Sequence, residues 1–380
     1  ACPSGSSPGL SFSWPAHSAV SGLNLKSCRM SEHEKPRLFF ILGRARSGTT
    51  LLRSLLDHHS AIIVPPECAF AHNLRSKYQN IKRWTDKRKQ AFYRDLLQQP
   101  SFAYMNTDHG WLKKRLELLP CESNYEDLCR LVWMSYRPLS PKKAIRAVGD
   151  KNPHYCLYAK RLVKVFPEAR FIHLVRDPRA NVQSLMEVDF EARIPASLAW
   201  RWNYYNRKTE SAKRWRPECF FTLRYEDLVT DPERYIREIC SFLGLDYEPE
   251  MMRFHLSGEK ARSVFPPAAI DKYHPRLFRP VSRDRMDLWK SVLSPRAIRK
   301  TECITASLAV KYNYLDAVPQ GRFPVLILSL PGISYGALYM LWGALIDRLP
   351  LRLRMSLIHF MALIFRPWWK RYQKIGRAHV

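Results

Sequence analysis

The chain has no Cys-x-x-Cys pair, and its nine cysteines are odd in number and scattered along 380 residues. Such spacing argues against a zinc site and against a dense disulfide framework, and most of the thiols are expected to be small buried side chains. There is also no Asn-x-Ser/Thr sequon, which favours a non-secretory setting. Acidic residues are scarce, 34 Asp and Glu against 62 Lys and Arg, so the net charge is +28. A balance this basic implies an anionic partner: a nucleotide, an acidic peptide or glycan, nucleic acid or anionic lipid. At 46% hydrophobic the chain is not a disordered polymer, and it can bury the core of one large α/β domain with additions.

The next absence is a lysine. Residues 38–42 are a short apolar run suited to a buried strand. Gly43 and Gly48 then bracket Arg44, Ala45, Arg46 and Ser47, and Leu51, Leu52, Leu55 and Leu56 recur on one helical face. Strand, glycine-bracketed loop and helix start are the parts of a phosphate cradle, because glycines let the backbone approach and free amides at a helix N-terminus attract an anion. The spacing from Gly43 to Gly48 is that of a nucleoside-triphosphate P-loop, but Thr49 stands where that pattern has lysine. Arg46 can grip a phosphate instead through paired hydrogen bonds, so the ligand is expected to be phosphorylated without being ATP with magnesium. For this stretch alone, an ordinary strand-turn-helix crossover is the competing explanation.

Downstream the design recurs. A second apolar run at 62–64 leads into Pro65, Pro66 and Glu67, which places Glu67 on a stiff loop near a sheet edge, where open α/β folds bind ligands. A solvated loop carboxylate is the plain alternative. Residues 69–140 read as a mostly helical insertion or acceptor-side cover, and 144–148 as a strand running into Gly149-Asp150-Lys151-Asn152-Pro153. Lys151 could reach the same crevice as the first loop, with a surface lysine as the alternative. Another buried strand is expected at 169–175 and a helix from 180 to 186; Arg176 at the strand's end and Ser184, eight residues on, could converge on a second phosphate. His173, in mid-strand, is expected to be structural. A helix at 195–215 carries aromatics better suited to a core than to a ligand platform. A strand at 220–223 follows, then a helix begun by Asp231-Pro232-Glu233 and stopped at Gly244. A basic, proline-rich loop at 257–287 and a helix at 295–312 complete the domain.

Three strand-loop-helix units carrying Arg46-Ser47-Gly48-Thr49-Thr50, Asp150-Lys151-Asn152-Pro153 and Arg176-Asp177-Pro178-Arg179 in this order resemble the sulfotransferases that use 3'-phosphoadenosine 5'-phosphosulfate (PAPS). Within them the chain looks most like the tyrosylprotein sulfotransferases and their bacterial relatives, whose loop has Arg where cytosolic small-molecule enzymes have Lys. The resemblance covers roughly residues 36–316. It implies a P-loop-like α/β fold, a central parallel sheet with helices on both faces, and PAPS as co-substrate with no metal required. It also implies that Arg46, Ser47, Gly48, Thr49 and Thr50 bind the 5'-phosphosulfate, that Arg176 and Ser184 hold the 3'-phosphate, and that Tyr225 lies beside the adenosine. Glu67 would be the catalytic base, Lys151 would contact the transferring sulfate, and Arg279 would close over the nucleotide. A glycine that the family pattern has before Trp289 is missing. His154 is the second candidate for the base. The acceptor is expected to be a hydroxyl on a peptide, glycan or lipid, leaning to protein tyrosine, and nucleic acid is not an expected partner. A P-loop kinase or NTPase and a non-catalytic nucleotide-binding protein are the readings from other classes.

Beyond this domain, no charged residue occurs from 323 to 346, a run long enough to cross a membrane although Pro331-Gly332 interrupts it. A second apolar run at 355–365 and Trp368-Trp369 follow, and residues 317–380 carry nine Arg and Lys against one acidic residue, Asp347. The segment reads either as an element on an anionic membrane face or as a helical hairpin packed on the catalytic domain. The expected organisation is thus a disordered leader at 1–34, of which the residues before Met30 read as translated from upstream of the start; a sulfotransferase domain at 35–316; and an apolar, basic helical extension at 317–374. Residues 375–380, IGRAHV, read as a translated sequencing adapter. The expected location is cytoplasmic, or membrane-bound through the extension, with no signal peptide evident.

Overall fold

The computed structural model describes residues 35–99, 101–188, 191–257, 279–350, 353–354 and 356–357. Five strands, β1 (Arg37–Leu42), β2 (Ile62–Ile63), β3 (Ala147–Lys151), β4 (Arg170–Val175) and β5 (Phe220–Arg224), form one sheet in the order β2-β3-β1-β4-β5. Every pairing is parallel. A parallel sheet is covered on both faces, so its strands are apolar without alternation. Successive side chains of β1 therefore enter two different cores. Leu38, Phe40 and Leu42 pack with Trp133, Tyr155 and Phe166, while Phe39 and Ile41 pack with Leu52, Leu56, Ile236 and Leu243.

The helices that matter to the site are α1 (Thr49–Asp57), α2 (Asp86–Leu97), α3 (His109–Leu118), α4 (Tyr125–Met134), α5 (Tyr155–Val165), α6 (Pro178–Met186), α7 (Pro195–Lys213), α8 (Tyr225–Thr230), α9 (Pro232–Leu243), α10 (Pro295–Lys311) and α11 (Arg322–Ile346). The cover expected at 69–140 is helical, built from α2, α3, α4 and two single turns at Phe70–Asn73 and Arg75–Tyr78. Its aromatics Tyr78, Trp84 and Phe92 are buried together. Helix α9 starts at Asp231, whose carboxylate accepts from the Arg234 amide, and ends at Gly244 with φ 69°, as its cap residues dictate. His173 is buried in mid-strand and bonded to Asn206 at 3.0 Å.

Three boundaries differ from the sequence reading. The strand expected at 144–148 lies at Ala147–Lys151, because Gly149 does not end it: a Cβ there would stand 2.4 Å from the Phe39 ring, so glycine lets the strand continue past its neighbour. Helix α6 begins at Pro178 instead of Ala180, since Asp177 caps it and proline suits the first turn. Pro331-Gly332 does not interrupt α11, which runs through both residues. The proline removes one backbone donor, and the glycine allows close packing on α7, where its Cβ would be 2.8 Å from that of Ala196. The second apolar run, at 355–365, lies almost entirely outside the described residues.

All seven described cysteines are unpaired, and every one but Cys121 is buried.

Candidate active site

The C-terminal ends of β3, β1, β4 and β5 open into one crevice, the position where parallel α/β sheets hold ligands. One half of it is the loop after β1. Gly48 caps α1 with φ 90°, and a Cβ there would lie 2.4 Å from Tyr225 Cδ2, so both backbone angle and the overlying ring call for glycine. The loop is laced to α6. Asn181 Nδ2 donates to Ala45 O at 3.0 Å and to Ser47 Oγ at 3.3 Å. Arg44 Nη1 donates to Asn181 Oδ1 at 3.3 Å.

Arg46 takes φ 68°, and its Nε donates to Ser184 Oγ at 3.1 Å. Arg176, almost fully buried, donates from Nη1 to Arg46 O at 2.8 Å and from Nη2 to Arg285 O at 2.9 Å. Its guanidinium lies 4.6 Å from the centre of the Tyr225 ring. Burial, then the charges of Arg285 and Arg176, lower the pKa of Arg46. The Nε atoms of Arg176 and Arg285 are buried without a hydrogen-bond partner. Crowded cations with unused donors form a site that an anion would satisfy electrostatically and by hydrogen bonding.

The other half lies at the end of β3. Lys151 is 2% exposed; its ammonium donates to Glu67 Oε1, in an ion pair, and to Thr50 Oγ1 at 3.1 Å. Burial lowers the pKa of Lys151, and Glu67 opposes that shift. The loop carrying Glu67 is anchored by Arg53, whose Nε donates to Val64 O at 2.8 Å and Pro65 O at 3.2 Å. One residue before Lys151, Asp150 is buried, accepts from the Tyr155 hydroxyl at 2.6 Å, and has its pKa pushed up by burial to about 7.

Glu67 lines a cavity of about 1350 Å³ together with Asn152, His154, Tyr205, Arg161 and Trp342. The aromatic helix α7 thus serves both roles: Trp202 is core, while Tyr204 and Tyr205 line the cavity.

The structure brings Arg46, Ser47, Gly48, Thr49 and Thr50 together with Arg176, Ser184 and Tyr225 on one side, and Glu67 with Lys151 and Thr50 on the other. His154 stands in the cavity, its Nδ1 3.4 Å from the Tyr205 hydroxyl. Arg279 is exposed; the late basic residue placed beside Arg46 and Arg176 is Arg285, which also pairs with Glu187 at 3.0 Å. Arg285 sits in the basic loop recognised in the sequence, but nothing in its spacing separates it from its neighbours. For Arg53 the available signal was a cation four residues before Asp57 on an otherwise apolar helix. Nothing in the sequence alone tied α11 to the cavity.

Residues 36–249 match the model of the Sulfotransferase family. Protein-tyrosine sulfotransferase 1 of Danio rerio is 22% identical over 303 residues, covering 77% of this chain and 76% of that protein. Omega-hydroxy-beta-dihydromenaquinone-9 sulfotransferase Stf3 of Mycobacterium tuberculosis is 33% identical over 112 residues, 26% of this chain and 29% of that one. Among solved structures, the sulfotransferase domain from the Synechococcus PCC 7002 olefin synthase superposes with a TM-score of 0.50 at 23% identity, covering 75% of this chain and 98% of that one. With more than half of its length matched by the family model, the chain belongs to the sulfotransferase family and is a sulfotransferase.

Proposed function

We propose that the enzyme moves the sulfuryl group of PAPS to an acceptor hydroxyl, with Glu67 as base. The observation that carries this reading is the contact of buried Lys151 with both Glu67 and Thr50, which ties the base to the first turn of the phosphate-cradling helix. Amides of the loop and the hydroxyls of Ser47, Thr49 and Thr50 suit the 5'-phosphosulfate. Arg176 and Ser184, with Arg46 between them, suit the 3'-phosphate, and Tyr225 offers its ring to adenine.

Sulfuryl transfer, like phosphoryl transfer, spreads charge over three equatorial oxygens between an attacking and a leaving group in line, so positioning and cations do most of the catalysis. Glu67 takes the acceptor proton as the acceptor oxygen bonds to sulfur. The sulfur–oxygen bond to the 5'-phosphate breaks and its electron pair stays with the phosphate, while Lys151 stabilises the sulfuryl oxygens.

Relatives named as protein-tyrosine sulfotransferases support a peptidyl tyrosine as acceptor, and a basic cavity rim would favour acidic sequence around it. A lipid or carbohydrate hydroxyl is the second reading. The lipid form is favoured by the apolar wall that α11 gives the cavity.

Metal-free calorimetry with 3',5'-adenosine bisphosphate (PAP) and ATP tests the donor assignment. Tight PAP binding with little for ATP is expected, and preference for ATP would return the chain to the kinase or NTPase reading. Full turnover by Glu67→Gln would exclude Glu67 as base. A protein that binds PAP but transfers nothing in any acceptor screen would fit a non-catalytic nucleotide binder.

A further inference from the structure

Helix α11 faces two ways. Inward it packs on α7 through small residues: a Cβ on Gly332 would stand 2.8 Å from that of Ala196, and one on Gly336 3.0 Å from Ser197 Oγ. Towards its C-terminal end Tyr339, Met340, Trp342, Gly343 and Ile346 line the acceptor cavity. Outward, among the described residues, it is apolar and exposed, with Phe323 74%, Leu328 73% and Leu338 65% exposed. It is the one described helix long and apolar enough to cross a membrane.

Soluble monomers rarely expose a contiguous apolar face of this extent. A helix packed lengthwise on a domain cannot also be encircled by lipid chains, so while docked on α7 it can lie in an interface but not span. Charge selects the partner. Among the described residues, Arg322 and Arg348 bound the apolar run at its two ends, and Arg75, Arg161, Lys208 and Arg348 line the cavity beside the helix. Cations flanking an apolar face match anionic head groups above acyl chains. Tyr339 and Trp342 both line the cavity and are each 49% exposed, so the mouth of the cavity borders the apolar face.

We propose that α11 seats the enzyme on an anionic lipid surface, and that the acceptor is an amphiphile whose hydroxyl enters the cavity from that surface. The acceptor half of this proposal rests on the sulfotransfer reading above and takes its lipid form in place of the peptidyl tyrosine; the docking half rests on neither. Bond changes are those already given, with the lipid oxygen as attacking atom and its proton passing to Glu67.

The test uses the full chain with vesicles of phosphatidylcholine, alone or mixed with phosphatidylglycerol, doped with diacylglycerol or a long-chain alcohol. Sedimentation with the anionic vesicles is expected, weakened by salt, and reduced about 100-fold in the double variant Leu328→Glu/Leu338→Glu. Affinity for PAP should be equal in both proteins, which shows that the variant is folded. Radiolabel from PAPS should enter chloroform-soluble product only with vesicles present, and far less with the double variant.

A monodisperse wild-type chain that ignores anionic vesicles overturns the docking. So does a dimer split by the same two substitutions, which would make a second copy the natural cover of this face. Label entering a soluble Glu/Tyr copolymer at the same rate with or without vesicles, and none entering lipid, overturns the acceptor class. Loss of PAP binding in the wild type with vesicle binding intact would defeat the donor reading and the acceptor half together, and leave the docking half supported.

Discussion

The two halves of the crevice differ in what they are built from. The half proposed for the donor uses strand ends alone: the Gly43-to-Gly48 loop, Arg176 just beyond β4 and Tyr225 just beyond β5 each continue directly from a strand. The half proposed for the acceptor adds helices packed around the sheet, with Lys151 from β3, Glu67 from the edge loop, Tyr205 from α7 and Trp342 from α11. A donor common to a family can be held by the ends of a shared sheet. An acceptor particular to one enzyme is set by what is packed around that sheet.

Substitutions should separate the halves, and the greatest effect is expected where they meet. Glu67→Gln should lower turnover by about 100- to 10,000-fold while PAP affinity, read by calorimetry, stays nearly intact; equal loss of both would move Glu67 to the binding site. Lys151→Met should cost about 100- to 1,000-fold in turnover, measured at saturating PAPS.

Arg176→Ala should do the reverse, weakening PAP by roughly 10- to 100-fold with turnover at saturating donor little changed. Unchanged affinity would remove Arg176 from the phosphate site. The same titration decides between the late basic residues, and Arg285→Ala should weaken PAP more than Arg279→Ala, since Arg285 lies against Arg46 and Arg176. On the acceptor side, a Cβ on Gly343 meets nothing within 4 Å and the residue lines the cavity. Gly343→Leu should therefore raise the acceptor KM several-fold without altering PAP affinity.

The last effect concerns stability. Asp150 has an ordinary pKa of 3.8 and is raised to about 7 in the fold, so between those values the native state binds more protons than the unfolded one. Stability should fall as pH rises from about 4 to 7, because the buried carboxyl must then ionise. Asp150→Asn should flatten that slope in urea titrations at a series of pH values.

How far the sequence carried each half follows from the same contrast. Arg46, Arg176, Ser184 and Tyr225 could be picked out because strand, loop and helix follow one another locally, and apolar runs with capping residues mark where each begins. Lys151 stands out in the sequence although its strand begins three residues later than the apolar run suggests. Gly149 looks like punctuation, and only the Phe39 ring against it shows why the strand runs on. Arg285 was one cation among several in a loop without period, and its place depends on a backbone carbonyl that Arg176 reaches from across the fold. Pro331 looked like a break because an isolated helix loses a hydrogen bond there; packing on α7 holds the helix through it.

By itself, the sequence determined the alternation of strands and helices, the order of its units and the glycine-bracketed loop after β1, since these rest on local period, caps and the backbone freedom of Gly48. Only the tertiary structure decided that Glu67 meets Lys151, that Arg285 joins the cation cluster, and that an apolar helix more than 250 residues after Glu67 walls the cavity that Glu67 lines. Those pairings depend on which buried surfaces find each other, and apolar burial, being non-directional, leaves no local pattern that names its partner.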